Sequence, residues 1–306
     1  MEGVFEGFAT IIVVIALGAL LAHLRVLDLG AQVVLSRLAF FVASPALLVT
    51  VLADTDVTEV FSGNLAASLV GVVVAAGLYV ASARLLLRRE LAETVIGALC
   101  SAYVNAGNLG LPIASYVLGD VALVAPVLLM QLLVLQPLAL AVLDHAVSTG
   151  PVRVGRLLTQ PLRTPLTVGS LVGLALALTG VDLPPAVHDP LALVGGMAVP
   201  AMLIAYGISL RLGPRPGHGS TPGELAWIGV LKLVAQPAAA YTTGLLLGLD
   251  DAALLAVTVL SALPTAQNIF VHATRYDRAV VLARDAIFLT TVLSVPAIFV
   301  ITALLT

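Results

Sequence analysis

Charge is what this sequence has least of. Asp, Glu, Lys and Arg make up 10% of its 306 residues, against about 25% in a soluble domain. So few polar groups cannot cover a surface that faces water. With 60% hydrophobic residues and a mean hydropathy of +1.12, the surface must instead face lipid. Cysteine is almost missing too: Cys100 stands alone in an apolar run, so it forms no intramolecular disulfide and tells nothing of redox compartment. No Lys or Arg precedes Arg25, and the N-terminus carries Glu2 and Glu6 instead. The basic start of a signal peptide is lacking, so the first helix is expected to be retained. There is no G-x-x-x-x-G-K-[ST] loop to cradle ATP phosphates and no HExxH pair. The histidines, His23, His145, His188, His218 and His272, fall mostly at span ends without clustered acids. Metal and covalent chemistry are therefore not expected, nor a cofactor, nor an enzyme. The Arg-containing loops are too short and dispersed for nucleic acid.

What the chain has is long apolar runs. Stretches of about 20 apolar residues cross a hydrocarbon core of about 30 Å as helix. The runs are apolar all round, without the alternation a barrel strand would show. The fold class expected is an all-α integral membrane protein. Turn and charge signals divide it into ten spans, at about 8–24, 31–53, 64–87, 91–119, 121–146, 162–180, 189–212, 224–248, 250–276 and 278–304.

The basic residues orient these spans. Arg25, Arg84, Arg88, Arg89, Arg153, Arg156, Arg163, Arg211, Arg215, Arg275 and Arg278 all fall at ends facing one side. Arg37, Lys232 and Arg284 lie one or two turns into spans that start there. The other side carries Glu2, Glu6, Asp54, Asp56, Glu59, Asp120, Asp182, Asp189, Asp250 and Asp251, and no Lys or Arg. The positive-inside rule then puts both termini outside the cytoplasm, in an inner (cytoplasmic) membrane crossed many times.

The sequence also repeats itself. Pro45-Ala46 in the second span and Pro200-Ala201 in the seventh are 200 − 45 = 155 residues apart. Adding 155 to the first five spans lands close to the last five. Five is odd, so the second copy lies upside down, as in the inverted repeats of many secondary transporters. The expected division is a first repeat over 1–146, a cytoplasmic linker over 147–161 and a second repeat over 162–306.

Polar, helix-breaking clusters interrupt the fourth and ninth spans. The first is Asn105-Ala106-Gly107-Asn108-Leu109-Gly110-Leu111-Pro112; the second is Pro264-Thr265-Ala266-Gln267-Asn268. Glycine and proline remove helix propensity and a backbone donor. Unwound backbone survives at membrane depth only inside protein or beside a wet cavity. A kinked helix with packing glycines would explain either cluster. Matching positions in two inverted halves point instead to a midplane binding site, where helix N-termini meet anions and C-termini meet cations. The candidate binding residues are Asn105, Gly107, Asn108, Gly110, Pro112, Pro264, Thr265, Gln267 and Asn268. Lys232 and the neighbours Arg284 and Asp285 are candidates for charge or coupling, being ionisable groups inside spans, although within snorkelling reach of the cytoplasmic interface. Gln131, Gln136 and Gln236 read as interhelical hydrogen bonds.

These motifs together resemble the auxin efflux carrier family in its shorter bacterial form. The resemblance rests on Pro45-Ala46-Leu47-Leu48, Gly107-Asn108-x-Gly110-x-Pro112, Gly207-Ile208-Ser209-Leu210, Lys232-Leu233 with Pro237, and Leu263-Pro264-Thr265-Ala266-Gln267-Asn268 with Tyr276. It spans essentially the whole chain. The family implies a sodium/proton antiporter-like fold with broken helices 4 and 9 crossing at the centre. Spans 1, 2, 6 and 7 would form a scaffold, dimerising as a homodimer, and spans 3–5 and 8–10 a moving transport domain. It further implies carriage of small organic acid anions, including dicarboxylates such as malonate. Asn105, Asn108 and Pro112 match its first crossover, and Pro264, Gln267 and Asn268 its second. Two departures stand out. The long cytoplasmic loop of the plant carriers is absent. Sodium-coupled bile acid relatives place a glutamate four residues before the Gln-Asn pair, where this chain has Leu263, which argues against sodium coupling.

The expected function is a secondary active transporter of small organic acid anions, working by alternating access of elevator type, with a small carboxylate and membrane lipid as partners. A membrane sensor of small carboxylates without transport is the alternative, and an output module would be its mark.

Overall fold

The computed structural model describes residues 2–54, 63–147, 165–213 and 222–305, with side chains from Ala9 onward except that of Thr274. The linker beyond Val147, with Arg153, Arg156 and Arg163, lies outside these residues, as do Asp56, Glu59, Arg215 and His218. Among the described residues the chain is helical, with a single isolated pairing of extended backbone.

In chain order the helices are α1 (Glu2–His23), α2 (Leu29–Ala53), α3 (Gly63–Leu85), α4 (Leu91–Ala102), α5 (Ala106–Leu118) and α6 (Val121–Val147). They continue with α7 (Pro165–Thr179), α8 (Pro185–Leu212), α9 (Pro222–Val230 running on to Leu246), α10 (Asp251–Ser261), α11 (Asn268–Tyr276) and α12 (Val280–Leu305). Among the described residues α2, α3, α6, α8 and α12 are long and apolar enough to cross a membrane, while α4, α5, α7, α10 and the Ala9–His23 part of α1 are apolar but shorter.

Local chemistry sets the helix ends. Asp28 and Asp250 accept backbone N–H bonds from Ala31 and Ala253, each at 2.8 Å, capping α2 and α10. Gly119 follows α5 with φ +78°, the left-handed geometry that closes a helix and that glycine adopts without strain. Proline shapes three helix interiors in one way. The π turns Ala39–Ala43, Gln131–Leu135 and Leu231–Ala235 each end two residues before a proline, at Pro45, Pro137 and Pro237. A proline ring clashes with the carbonyl four residues back and supplies no N–H, so the preceding turn widens to i→i+5 bonding.

The break in the fourth span is shorter than the sequence suggested, and that in the ninth begins two residues earlier. Only Tyr103–Asn105 are unwound in the first, where 105–112 was expected; Gly107, Gly110 and Pro112 are helical, Pro112 being preceded by the π turn Ala106–Gly110. That widened turn accommodates the proline within α5 as the others do at Pro45, Pro137 and Pro237. The second break runs over 262–267, and Asn268 opens α11.

The chain forms two compact units. Unit 1 comprises Met1–Phe61, Gly107–Leu129 and Pro161–Pro214; unit 2 comprises Ser62–Ala106, Met130–Gln160 and Arg215–Thr306. The sequence grouping kept the whole of spans 4 and 5 with spans 3 and 8–10, whereas nearly all of α5 and the start of α6 belong to unit 1.

Within unit 1, α1 packs on α8, and α7 on α2. Glycine lets the backbones touch: a Cβ on Gly207 would lie 2.0 Å from the Ile15 carbonyl oxygen, and one on Gly18 2.3 Å from that of Ile204. Gly169 and Gly173 of α7 meet the Pro45 and Leu48 backbone in the same manner, the small-xxx-small spacing that membrane helices use. Within unit 2, α9 packs on α3 and α3 on α4, around a core that includes Tyr79, Ile96, Cys100, Leu140, Ile228 and Ile269.

Candidate functional site

Unit 2 contains a crossing of two unwound strands of backbone. After α4 ends at Ala102, Val104 pairs antiparallel with Thr265. The Asn105 N–H donates to the Pro264 carbonyl at 2.8 Å, and the Ala266 N–H to the Tyr103 carbonyl at 3.1 Å. Two broken helices thus satisfy part of each other's freed backbone, which hydrocarbon cannot do. Thr265 is fully buried and ties the crossing to its neighbours: its hydroxyl donates to the Cys100 carbonyl at 2.5 Å, and its N–H to Thr290 Oγ1 at 3.1 Å. Thr265 was a candidate ligand from sequence; its polar groups are spent on the fold.

The carbonyl ends of α4 and α10 still need donors, and the face of α9 supplies them. Lys232 is fully buried and its Nζ donates to the Ser261 carbonyl at 3.0 Å and to Gln236 Oε1 at 2.7 Å. Gln236 Nε2 donates onward to the Ala102 carbonyl at 3.0 Å. A helix C-terminus carries about half a negative charge; the Lys232 amino group meets that of α10 and the Gln236 amide that of α4. Lys232 lies within snorkelling reach of the interface by sequence, yet its amino group stays inside, where these acceptors are. Arg284 and Asp285 pair with each other, Arg284 Nε and Nη2 both at 2.8 Å from Asp285 Oδ1; Asp285 is buried and Arg284 part-exposed.

The N-terminal side of the crossing is lined by amides. Asn268 Nδ2 and the Tyr103 hydroxyl both donate to Gln136 Oε1 at 3.4 Å. Asn268 Oδ1 is buried and has no hydrogen-bond partner. Asn105 is buried, opposite Pro264 in this pairing, and Gln267 is half-buried. Asn105, Pro264, Thr265, Gln267 and Asn268 therefore share unit 2, whereas Gly107, Asn108, Gly110 and Pro112 belong to unit 1. Gly107 faces open space, with nothing within 4 Å of an added Cβ.

Sequence reasoning treated Gln136 and Gln236 as ordinary interhelical bonds and so missed that both touch the crossing. A signal was present. Each is the first residue of a Gln-Pro pair directly after a π turn, where the widened turn turns a polar side chain inward.

A second polar cluster in unit 2 lies away from these residues. Glu224, buried at the start of α9, accepts from the Tyr79 hydroxyl at 2.7 Å and from Arg89 Nη2 at 2.5 Å. The hydrogen bond to Glu224 pushes the Arg89 guanidinium above its ordinary range, holding it charged. Arg89, Glu93, Glu224 and Asp277 line a pocket of about 340 Å³ with the first residues of α12.

Comparison with known proteins bears on this geometry. The profile of the family described as "Membrane transport protein" matches residues 3–143 and 152–302. The "Putative malonate transporter" of Rhizobium meliloti (strain 1021) is 27% identical over 271 residues, covering 86% of this chain and 84% of its own length.

Proposed function

The chain belongs to the membrane transport protein family, the family of the auxin efflux carriers, and we propose that it is a secondary transporter of small organic acid anions working by alternating access of elevator type. The observation that carries this is the antiparallel crossing at Val104 and Thr265, with amide side chains where α11 begins. Helix starts present N–H groups and positive dipole to an anion. Lys232 and Gln236 satisfy the opposite, carbonyl ends, so these present fewer bare acceptors to repel a carboxylate. Asn105, Gln267 and Asn268 are the solute ligands in unit 2. The relative's name supports a dicarboxylate such as malonate as substrate.

In this reading ten spans form two inverted five-helix repeats, with both termini outside and the protein a homodimer in the cytoplasmic membrane. The reciprocal packing of α1 on α8 and α7 on α2 supports the repeat, since each pair joins one element from either half. Division into two compact units supports a moving body and a scaffold.

Counterflow tests the proposal: proteoliposomes preloaded with unlabelled malonate should take up labelled malonate. An imposed sodium gradient at fixed pH and zero potential should leave that uptake unchanged. Absence of exchange across a panel of mono- and dicarboxylates would sink the transporter reading.

A further inference from the structure

Helix α11 carries a row of polar side chains four residues apart. Asn268, His272 and Tyr276 lie at i, i+4 and i+8, hence on one face. Both ends of the row are tied to α6: Asn268 Nδ2 to Gln136 Oε1 at 3.4 Å, and the Tyr276 hydroxyl to Asp144 Oδ1 at 2.6 Å. The offsets agree, 268 − 136 = 132 and 276 − 144 = 132, so α11 runs parallel to that part of α6 and His272 is level with Leu140. Leucine offers no polar atom. His272 Nε2 is buried without a hydrogen-bond partner, like Asn268 Oδ1 one turn before it.

A buried nitrogen left unmatched is costly, and ionisable groups in membrane segments persist where they act. Most ionisable groups on the elements packed against α11 already have partners. On α12, Arg284 and Asp285 pair with each other. On α4, Glu93 faces Arg89 at 3.5 Å, and Cys100 lies in the apolar core. Tyr103 donates to Gln136, Asp144 accepts from Tyr276, and on α11 itself Arg275 lies over the Tyr276 ring, its charge also felt at His272. His145 stands one residue beyond Asp144. Free imidazole changes charge within the physiological pH range, and an anion bound at Asn268, one turn away, is what would favour the charged form here.

We propose that His272 is the proton-binding group of this carrier, loading one proton with each carboxylate anion bound at the adjoining Asn268. This rests on the transporter reading above. A proton from the solution on the loading side adds to the imidazole, whose positive charge accompanies the anion. On the other side the anion leaves, the proton dissociates and the imidazole returns neutral. No other bond is made or broken.

Purified protein in liposomes, with the potential clamped at zero and a pH dye inside, decides the matter. Under an inward proton gradient the wild type should accumulate labelled malonate and acidify the lumen as it does so. His272→Gln and His272→Asn, checked for intact folding by their melting temperature, should retain counterflow exchange and lose gradient-driven accumulation. Malonate entry by the wild type without lumen acidification overturns the proposal, whatever the variants do. So does wild-type proton-driven accumulation in either variant. Normal counterflow with no proton movement leaves the transporter reading standing and removes only this one. Absence of counterflow removes both.

Discussion

Lys232 Nζ lies 2.7 Å from Gln236 Oε1, one turn along the same helix, and between them the two side chains close the carbonyl ends of both broken helices. Removing the ammonium leaves the Ser261 carbonyl and Gln236 Oε1 without it. Lys232→Met should therefore lower stability by about 1–3 kcal/mol, the cost of stranding buried acceptors, even though it also removes a buried charge. Gln236→Leu should do the same through Ala102. The double variant should cost less than the sum, since the side chains share one network. Melting of the purified protein in detergent measures all three. A higher melting temperature for Lys232→Met would mean that desolvation of the ammonium outweighs its bonds.

Loss of a hydrogen bond to a charged solute costs about 1.5–3 kcal/mol, or roughly 10- to 100-fold in affinity. Asn105→Ala and Asn268→Ala should weaken carboxylate binding on that scale while leaving the protein folded. Gln136→Ala should weaken it too, since Gln136 Oε1 holds Asn268 and Tyr103 in place. Thr265→Val should act on stability instead, its hydroxyl being bonded to Cys100. Ligand-induced thermal shifts with malonate separate the two kinds of effect. Full binding by both asparagine variants would place the site elsewhere.

Glycines in these helices are not equivalent. Gly207→Ala sets a methyl against the Ile15 carbonyl at a distance no packing allows, so α1 and α8 must part. An overpacked interface costs about 1–3 kcal/mol. Gly107→Ala meets nothing within 4 Å and should leave the melting temperature unchanged or raised, because alanine favours helix. Equal melting of the two variants would show that α1 and α8 do not pack this tightly.

Orientation is open to labelling. Cys100 is buried and can be replaced by serine to give a silent background. In that background Asp182→Cys should react with an impermeant maleimide added to intact cells, and Arg88→Cys only after lysis. The reverse pattern would invert the topology.

Composition and periodicity alone determined that this chain lives in lipid, that it is helical, and roughly where its helices lie, because transfer from water to hydrocarbon is a bulk property summed along the chain. They also placed the interruptions: Pro264 and the 105–112 cluster announce a break wherever they are put. The motifs were enough to indicate the family. What the sequence could not determine is which atoms meet at those breaks. Glycine and proline mark weakened helix, yet Gly107, Gly110 and Pro112 are helical and the unwound residues are Tyr103–Asn105, because the bridge to Thr265, 161 residues away, decides where unwinding stops. Lys232 looked free to reach the interface; the carbonyl of Ser261 holds it inside. Gln136 and His272 looked incidental until α11 was laid beside α6. Hydrogen-bond partners at such separations depend on tertiary packing, and no local preference encodes them.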